Sequence, residues 1–157
     1  MEKPSEIRFL PESLTVLRAS EIWQQAGAYY VRIQAMGRKH HIPLRREFDE
    51  HDTPETKYIV ILDGDFPIAT ARMYPLGDDR VMIGRVVVLP EYRRMGIGTR
   101  AVSECELWAR ELGFETAVVE SRENKTEFYH QLGYTETGDP VIEGDTFRCI
   151  RMKKSLL

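Results

Sequence analysis

The segment Val86–Leu112 restricts the fold of this 157-residue chain more than any other stretch. An apolar, β-branched run ends at Pro90, the loop Arg93–Gly98 follows with two glycines, and the chain then takes on the apolar spacing of an amphipathic helix. A strand that leads through a glycine loop into a helix presents backbone N–H groups, which suit an anion and most often a phosphate. The segment therefore predicts a phosphate site, and a tight turn without a ligand is the alternative.

Two well-known phosphate loops do not fit this segment. It contains no Gly-Lys-Ser/Thr, so a Walker-type nucleotide site would lack its lysine and its magnesium-binding hydroxyl. The third glycine of a dinucleotide-binding fingerprint is also missing, as is the early β-α-β setting of that fingerprint.

The composition is that of an ordinary globular protein, with 42% hydrophobic and 30% charged residues, and the length predicts one domain over residues 1–157. No apolar run is long enough to span a membrane, and Met1–Leu10 lacks the apolar core of a signal peptide, so we expect a cytoplasmic protein. Cys105 and Cys149 are expected to be reduced core thiols. The net charge of −3 argues against a nucleic-acid partner, and the four histidines show no metal-ligand spacing, so no metal is predicted.

The pattern of apolar residues predicts a β-meander followed by a β-α-β unit. The predicted strands are Thr15–Arg18, Lys57–Leu62, Pro67–Tyr74, Val81–Leu89, Thr116–Glu120 and Thr146–Met152. The first predicted helix runs from Ser20, as the cap, to about His40, with an apolar stripe that begins at Ile22, and the pair His40-His41 marks its end. The others run from near Ile97 to Leu112, with Cys105 and Leu112 on one face, and over Asn124–Leu132, and Gly113 and Gly133 should end them. Turns between strands are predicted at residues 63–65 and 77–79. We expect an α/β (α+β) fold with a mixed, mostly antiparallel sheet of about six to seven strands flanked by helices. The strands Val81–Leu89 and Thr116–Glu120 should be parallel.

The loop Arg93–Gly98 resembles the Arg/Gln-x-x-Gly-x-Gly/Ala signature of the GNAT superfamily of N-acetyltransferases. The preceding Val86–Tyr92 is similar to that family's lead-in to the loop, and Phe128–Tyr134 is similar to its Phe-Tyr-x-x-Leu-Gly-Tyr/Phe element. The first half resembles a subfamily of small bacterial GNAT proteins of mostly unassigned substrate, at Val31-Arg32, Ile42-Pro43, Glu47-Phe48-Asp49 and Tyr58-Ile59-Val60.

The resemblance implies a GNAT-like acyl-CoA N-acyltransferase fold with acetyl-CoA as the donor. It implies that the pantetheine arm lies along the backbone of Val86, Val87 and Val88. It places the pyrophosphate on Arg93, Arg94, Met95, Gly96, Ile97, Gly98 and Thr99. By position, Arg122 and Lys125 would lie along the other wall, where the family usually has Asn and Ala, so backbone contacts are expected there.

Acetyl transfer needs a neutral amine, and deprotonating a lysine-like amine at pH 7 costs about 4.6 kcal/mol. Glu120, at the end of a strand, is the first candidate for the base; a solvated strand edge is its alternative role, and an ordered water can serve instead. The resemblance implies that a backbone N–H near Val88 holds the oxyanion and that Tyr129 assists the departing thiolate. Because a tyrosine is a weaker acid than a thiol, we expect Tyr129 to act by hydrogen bonding. A core tyrosine is the alternative.

Acidic residues crowd the segment Glu47–Glu55, which would favour a cationic amine or would form a solvated loop. Arg72 and Arg85 interrupt strands that otherwise appear buried. Buried charges need partners, so we expect these arginines to pair with Glu47 or Asp49; the alternative is that one of them binds a substrate carboxylate. These four residues are the predicted acceptor-binding set.

The leading hypothesis is an acetyl-CoA-dependent N-acetyltransferase acting on a primary amine of a small molecule or peptide by direct attack in a ternary complex. A catalytically weak acyl-CoA-binding sensor or interaction module is the alternative, and an RNA-contacting role of Arg93-Arg94 ranks below both. The expected partner is the amine substrate, with no nucleic acid and no membrane, and a homodimer is left open.

Overall fold

The computed structural model describes residues 13–144 and 146–157. Within them the strands are β1 (Leu14–Arg18), β2 (Lys57–Asp63), β3 (Phe66–Gly77), β4 (Arg80–Val88), β5 (Thr116–Arg122), β6 (Thr135–Glu136), β7 (Ile142–Glu143) and β8 (Arg148–Ser155). The α-helices are α1 (Ile22–Arg32), α2 (Arg38–His40), α3 (Leu44–Glu47), α4 (Ile97–Glu111) and α5 (Thr126–Gln131). A π-helical segment, Ile33–Gly37, joins α1 to α2, and 3₁₀ turns lie at Pro90–Tyr92 and Glu123–Lys125.

The strands form one open sheet in the order β1-β2-β3-β4-β5-β8-β6, with β7 paired to β8. The pairing of β4 with β5 is parallel, and the pairings of β1 with β2 and of β5 with β8 are antiparallel. The mixed, mostly antiparallel sheet with helices is therefore confirmed, as is the predicted parallel pair. The two-residue strands β6 and β7 were not predicted, because two residues carry no detectable periodicity.

The chain divides into two compact units. Unit 1 comprises residues 13–72 and Arg85–Glu104, and unit 2 comprises Met73–Gly84 and Cys105–Leu157 without residue 145. The single domain expected over residues 1–157 stays a prediction.

The core of unit 1 forms where α1 packs on β2. Ala28 of α1 lies against Tyr58, Val60 and Leu62, and all four are buried. Gly27 allows this close approach, because a Cβ on it would lie 3.2 Å from Cβ of Pro67. The helix therefore presents its small residues to the sheet.

The first helical region corrects two expectations. Its cap is Glu21 rather than Ser20; the side chain of Gln24 accepts hydrogen bonds from the amides of both, at 2.9 and 2.7 Å. Its buried stripe is Ala28, Val31, Arg32 and Ala35, whereas the predicted stripe began at Ile22, which is 88% exposed. The prediction followed the larger apolar residues, but the tight packing on β2 selects the small ones.

Two predicted turns are confirmed. Gly64 adopts a φ of 60° in the hairpin between β2 and β3. Asp78 and Asp79 both have positive φ, at 54° and 58°, between β3 and β4, as a two-residue hairpin turn of type I′ requires. His41, at φ 55°, ends the first helical region as expected of the His40-His41 pair.

In unit 2 the second half of α4 and the strands β5 and β8 supply the core. Cys105 and Ala109 are fully buried, but Leu112, which was predicted to share their face, is 48% exposed. Tyr134 donates a 2.8 Å hydrogen bond to Oε2 of the buried Glu106, whose Oε1 accepts one of 2.9 Å from Lys154. Among the described residues no helix is long and apolar enough to cross a membrane.

The boundaries of the last elements shift by one to three residues. The helix predicted over Asn124–Leu132 is a 3₁₀ turn followed by α5, and it stops before Gly133, whose φ is 96°. The final strand ends at Ser155 rather than at Met152. Neither Cys105 nor Cys149 forms a disulfide, but only Cys105 lies in the core; Cys149 is half-buried.

Candidate functional site

In unit 1 the loop Arg93–Gly98 leads from β4 into the 15-residue helix α4. Arg94 and Gly96 adopt left-handed backbone conformations, with φ of 61° and 75°. A Cβ placed on Gly96 would meet no atom within 4 Å, so the backbone there faces open space. The first amides of α4 have no acceptor within the helix, because the i→i−4 pattern starts only with the bond from Arg100 N to Gly96 O. The loop therefore offers an accessible group of N–H donors.

Two contacts hold this loop to its own unit. The Tyr92 hydroxyl donates a 2.6 Å hydrogen bond to Asp63 of the β2–β3 hairpin. Nε of the exposed Arg93 donates a 3.4 Å bond to the carbonyl of Val88. The remaining donors of the Arg93 guanidinium are available to an anion.

The strand that precedes the loop carries a bend. Arg85 has a φ of 48° in the middle of β4, a left-handed conformation that costs a non-glycine residue about 1–2 kcal/mol. Val86 and Val88 beyond it are half-buried, whereas Val87 between them is buried. The alternation leaves the face that carries Val86 and Val88 partly accessible.

A network of ionic side chains lies in the same unit, and its buried centre is Arg32. The Arg32 side chain is fully buried. Nε donates to Oε1 of Glu47 at 3.0 Å, and the two terminal nitrogens donate to Asp52 at 2.7 and 3.1 Å. The guanidinium carbon lies 4.5 Å from the ring centroid of Phe48. Asp52 also accepts a 2.7 Å bond from the hydroxyl of Tyr58.

The expected pairing of the two strand arginines is observed. Arg72 donates to both oxygens of Asp49, at 2.8 and 3.3 Å, and lies 3.1 Å from Oδ2 of Asp52. Arg85 lies 3.3 Å from Oδ2 of Asp49 and 3.9 Å from Oε1 of Glu47. The structure thus brings together all four residues of the predicted acceptor set, and whether they bind an acceptor stays a prediction.

Burial opposes the charge on Asp52, but hydrogen bonds from Arg32, the Asp49 amide and Tyr58 outweigh it and hold the pKa of Asp52 well below its usual range. The pKa of Asp49 is lowered for a similar reason, since Arg72 overcomes the effect of burial. Asp49 and Asp52 are therefore ionised at neutral pH.

Sequence reasoning did not find the roles of Arg32, Asp52 and Tyr58. The available signal was the position of Arg32 on the stripe Ala28-Val31-Arg32-Ala35, because a basic residue on a buried stripe requires carboxylate partners. Tyr29 of α1 packs edge-to-face on Phe48 and Tyr58, with centroid distances of 4.9 and 5.6 Å.

In unit 2 Tyr129 lies on α5 and is buried, with a relative exposure of 8%. Its ring packs edge-to-face against Phe128 and Tyr134. Burial, with smaller effects from Cys105 and Cys149, raises the pKa of Tyr129 to about 12. Within the described part of the chain its hydroxyl has no hydrogen-bond partner, so it can donate to a ligand.

Glu120 and Arg122 lie two residues apart on β5. Oε1 of the exposed Glu120 accepts a 2.9 Å hydrogen bond from Arg151, its register partner on β8. The guanidinium carbon of Arg122 lies 4.1 Å from the ring centroid of Phe147. Lys125 is exposed at the start of α5. These observations locate the three residues, and their predicted roles stay predictions.

Comparison with known proteins identifies relatives across most of the chain. A model described as the acetyltransferase (GNAT) family matches residues 19–134. An uncharacterized acetyltransferase of Streptococcus pyogenes serotype M1 is 28% identical over 111 residues, which cover 71% of this chain and 78% of the relative.

Solved structures show the same fold. The crystal structure of a candidate N-acetyltransferase from Lactobacillus plantarum is 28% identical, covers 93% of this chain and 100% of its own, and has a TM-score of 0.86. An aminoglycoside 6′-N-acetyltransferase complexed with coenzyme A is 17% identical, covers 91% of this chain and 97% of its own, and has a TM-score of 0.71.

Proposed function

Because the chain belongs to the GNAT family of acetyltransferases, we propose that it transfers the acetyl group of acetyl-CoA to a primary amine of a small molecule or peptide. It is an N-acetyltransferase. In the proposed reaction the amine attacks the acetyl group directly, in a ternary complex with the donor. Its two cysteines form no disulfide, which fits a reducing compartment, and we place the protein in the cytoplasm.

The observation that carries the proposal is the open glycine loop ahead of α4. The exposed backbone at Gly96, the first amides of a 15-residue helix, and the guanidinium groups of Arg93 and Arg94 together suit a pyrophosphate. The backbone of Val86–Val88 would form hydrogen bonds with the pantetheine arm, as it would with a neighbouring strand. An amide near Val88 would stabilise the oxyanion. A coenzyme A complex in a fold neighbour supports this arrangement.

Tyr129 would assist the thiolate as it leaves. Its pKa of about 12 lies about 3.5 pKa units above that of a free thiol, so complete proton transfer to the thiolate would be uphill by about 5 kcal/mol. The hydroxyl would therefore stabilise the developing charge by donating a hydrogen bond, and the thiolate would take its proton from solvent.

The amine must lose a proton before or during attack. Glu120 stays a candidate base, and its ion pair with Arg151 would have to open for this role. A water molecule is the other candidate, because it can pass the proton of the attacking amine to solvent. Glu120→Gln distinguishes them: a loss of kcat at neutral pH that shrinks as the pH approaches the pKa of the amine favours the side chain, because a neutral amine needs no base, and an unchanged profile favours the water.

A charge reversal tests the donor site. Arg93→Glu is expected to weaken CoA binding at least tenfold in isothermal titration while the fold persists, because it replaces donors to the pyrophosphate with a carboxylate. Arg80→Glu is the matched control, since Nε of Arg80 also donates a 3.4 Å bond to a backbone carbonyl, that of Gly77, and lies outside the loop. Equal CoA affinity in wild type and Arg93→Glu would refute the assignment of the loop.

Thiol release from acetyl-CoA across a panel of amines tests the activity itself. Turnover that falls in Tyr129→Phe supports the transferase. Tight CoA binding without turnover on any amine, and without an effect of Tyr129→Phe, would instead indicate an acyl-CoA sensor.

A further inference from the structure

The three arginines of the network in unit 1 are not equally satisfied. Arg32 makes four hydrogen bonds, two to Asp52 and two to the side chain and carbonyl of Glu47, and its side chain is 0% exposed. Arg72 forms a two-point pair with Asp49, and its side chain is 6% exposed. Both guanidinium groups are therefore buried and paired with carboxylates inside unit 1.

Arg85 differs from them in exposure and in bonding. Its side chain is 35% exposed. Its hydrogen bonds are two long ones, both 3.3 Å from the same terminal nitrogen, to the carbonyl of Glu47 and to Oδ2 of Asp49. Nε is buried without a hydrogen-bond partner, since Oε1 of Glu47 lies 3.9 Å away. Most of the five donors of this guanidinium are unused within the described chain.

The two aspartates of the network, Asp49 and Asp52, have no unused oxygen, and the side chain of Glu47 is only 5% exposed. Oδ1 of Asp49 accepts from Arg72 at 2.8 Å and from the amide of His51 at 2.9 Å, and Oδ2 accepts from Arg72 and Arg85. Both oxygens of Asp52 are bonded as well. A cationic group would have to displace an arginine to reach the oxygens of Asp49 or Asp52. An anion can bind the unused donors of Arg85 without displacing any of its present partners.

We propose that Arg85 binds a carboxylate of the acceptor, which makes the acceptor an amino acid or a peptide with a carboxylate near its reactive amine. This rests on the proposed function. A guanidinium fork matches a carboxylate with two parallel hydrogen bonds. A monoanion suits this position better than a phosphate dianion, because Asp49 and Glu47 beside Arg85 would repel the second negative charge.

The position of Arg85 in the chain fits this role. Arg85 directly precedes Val86–Val88, the segment that the proposed function assigns to the pantetheine arm, and successive residues of a strand are about 3.3 Å apart. An acceptor held at Arg85 would therefore lie beside the donor. The left-handed backbone at Arg85 interrupts the regular alternation of β4 at this point.

Matched acceptors test the inference. The kcat/KM for thiol release is measured with the twenty amino acids, a set of dipeptides, and the C-terminal carboxamide of each. Wild-type protein is expected to prefer the carboxylate member of its best pair. Arg85→Gln is expected to reduce kcat/KM for that member by about 10- to 100-fold, because it removes one or two charge-assisted hydrogen bonds. For the carboxamide it is expected to change kcat/KM by less than about threefold. Arg85→Lys should restore part of the preference, because it keeps the charge without the fork.

Arg80→Gln on the same strand is the control variant, and CoA affinity is measured for every protein. Equal wild-type rates with acid and carboxamide, or an equal loss for both in Arg85→Gln, would overturn the inference. The inference would also be overturned if wild-type protein binds CoA but acetylates none of these acceptors; that outcome would not contradict the proposed donor site. A wild-type protein that does not bind CoA refutes the proposed function instead.

Discussion

Replacing Arg32 with methionine tests whether the buried ionic network holds unit 1 together. The substitution keeps an unbranched chain of similar length but removes four hydrogen bonds, and it leaves Glu47 and Asp52 buried with fewer compensating donors. Removing one partner of a buried pair destabilises a protein by about 3–5 kcal/mol, because the remaining charge is not compensated. For a chain of this length, that loss lowers the Tm by roughly 6–20 °C.

The effect of Arg32→Met should depend on pH in a defined direction. In wild type the pKa of Asp52 is lowered, so its stabilising contribution is present above its unfolded pKa of about 3.9 and is lost as the pH falls toward the folded value. Without Arg32 the burial of Asp52 is less compensated and its pKa rises above the wild-type value. We therefore expect the difference in unfolding free energy between variant and wild type to be larger at pH 7.5 than at pH 3, where the wild type has begun to lose this contribution.

Urea unfolding followed by circular dichroism at both pH values measures this difference. Arg148→Met is the matched control, because Arg148 also contacts two carboxylates, Glu143 at 3.0 Å and Glu123 at 3.6 Å, but is 55% exposed. Exposed pairs contribute about 0–1 kcal/mol, so the control should lie close to wild type. Equal losses in Arg32→Met and Arg148→Met, or a loss below about 1 kcal/mol in Arg32→Met, would refute the argument from burial.

Three further outcomes are expected. Tyr129→Phe should lower kcat by about 10-fold or more with CoA affinity unchanged, because only the hydrogen bond to the thiolate is lost; an unchanged kcat would contradict this role. Tyr134→Phe should lower the free energy of unfolding by about 1–3 kcal/mol, measured in urea, since buried Glu106 loses one donor. Gly96→Ala should weaken CoA binding and destabilise the fold, because its φ of 75° disfavours a Cβ, whereas Gly37→Ala should raise the Tm, since its helical backbone accepts alanine without a close contact.

The sequence predicted those parts of the fold that depend on local chemistry. The aspartates at 78 and 79 and the glycines at 64, 113 and 133 appear where the backbone turns with positive φ, so the hairpins and the helix ends were predicted well. The face of α1 was predicted wrongly, because burial there depends on the closeness of β2. A helix that packs tightly on a sheet buries its glycine and alanines, and no pattern of large apolar residues reveals this.

The loop proposed to bind the donor could be anticipated because its proposed function depends on consecutive residues. The glycines and arginines within Arg93–Gly98 would contact one anion, so sequence order and spatial order would coincide. The pairing of Arg72 and Arg85 was also predictable, because a charge within a buried strand requires a partner. The left-handed backbone at Arg85 was not predictable, since nothing in the local sequence favours a positive φ for arginine at that position.

The acidic segment shows why a local charge count misleads. Glu47, Asp49 and Asp52 lie close together in sequence and suggest a field that attracts cations. The structure neutralises them with three arginines from α1, β3 and β4, so three positive and three negative side chains meet in one network. The more exposed group with unused hydrogen-bonding capacity is the guanidinium of Arg85, at 35% exposure against 5% for Glu47, so the group expected on the acceptor changes from a cation to a carboxylate. Sequence alone does not give this result, because it depends on which partner is exposed once the pairs have formed.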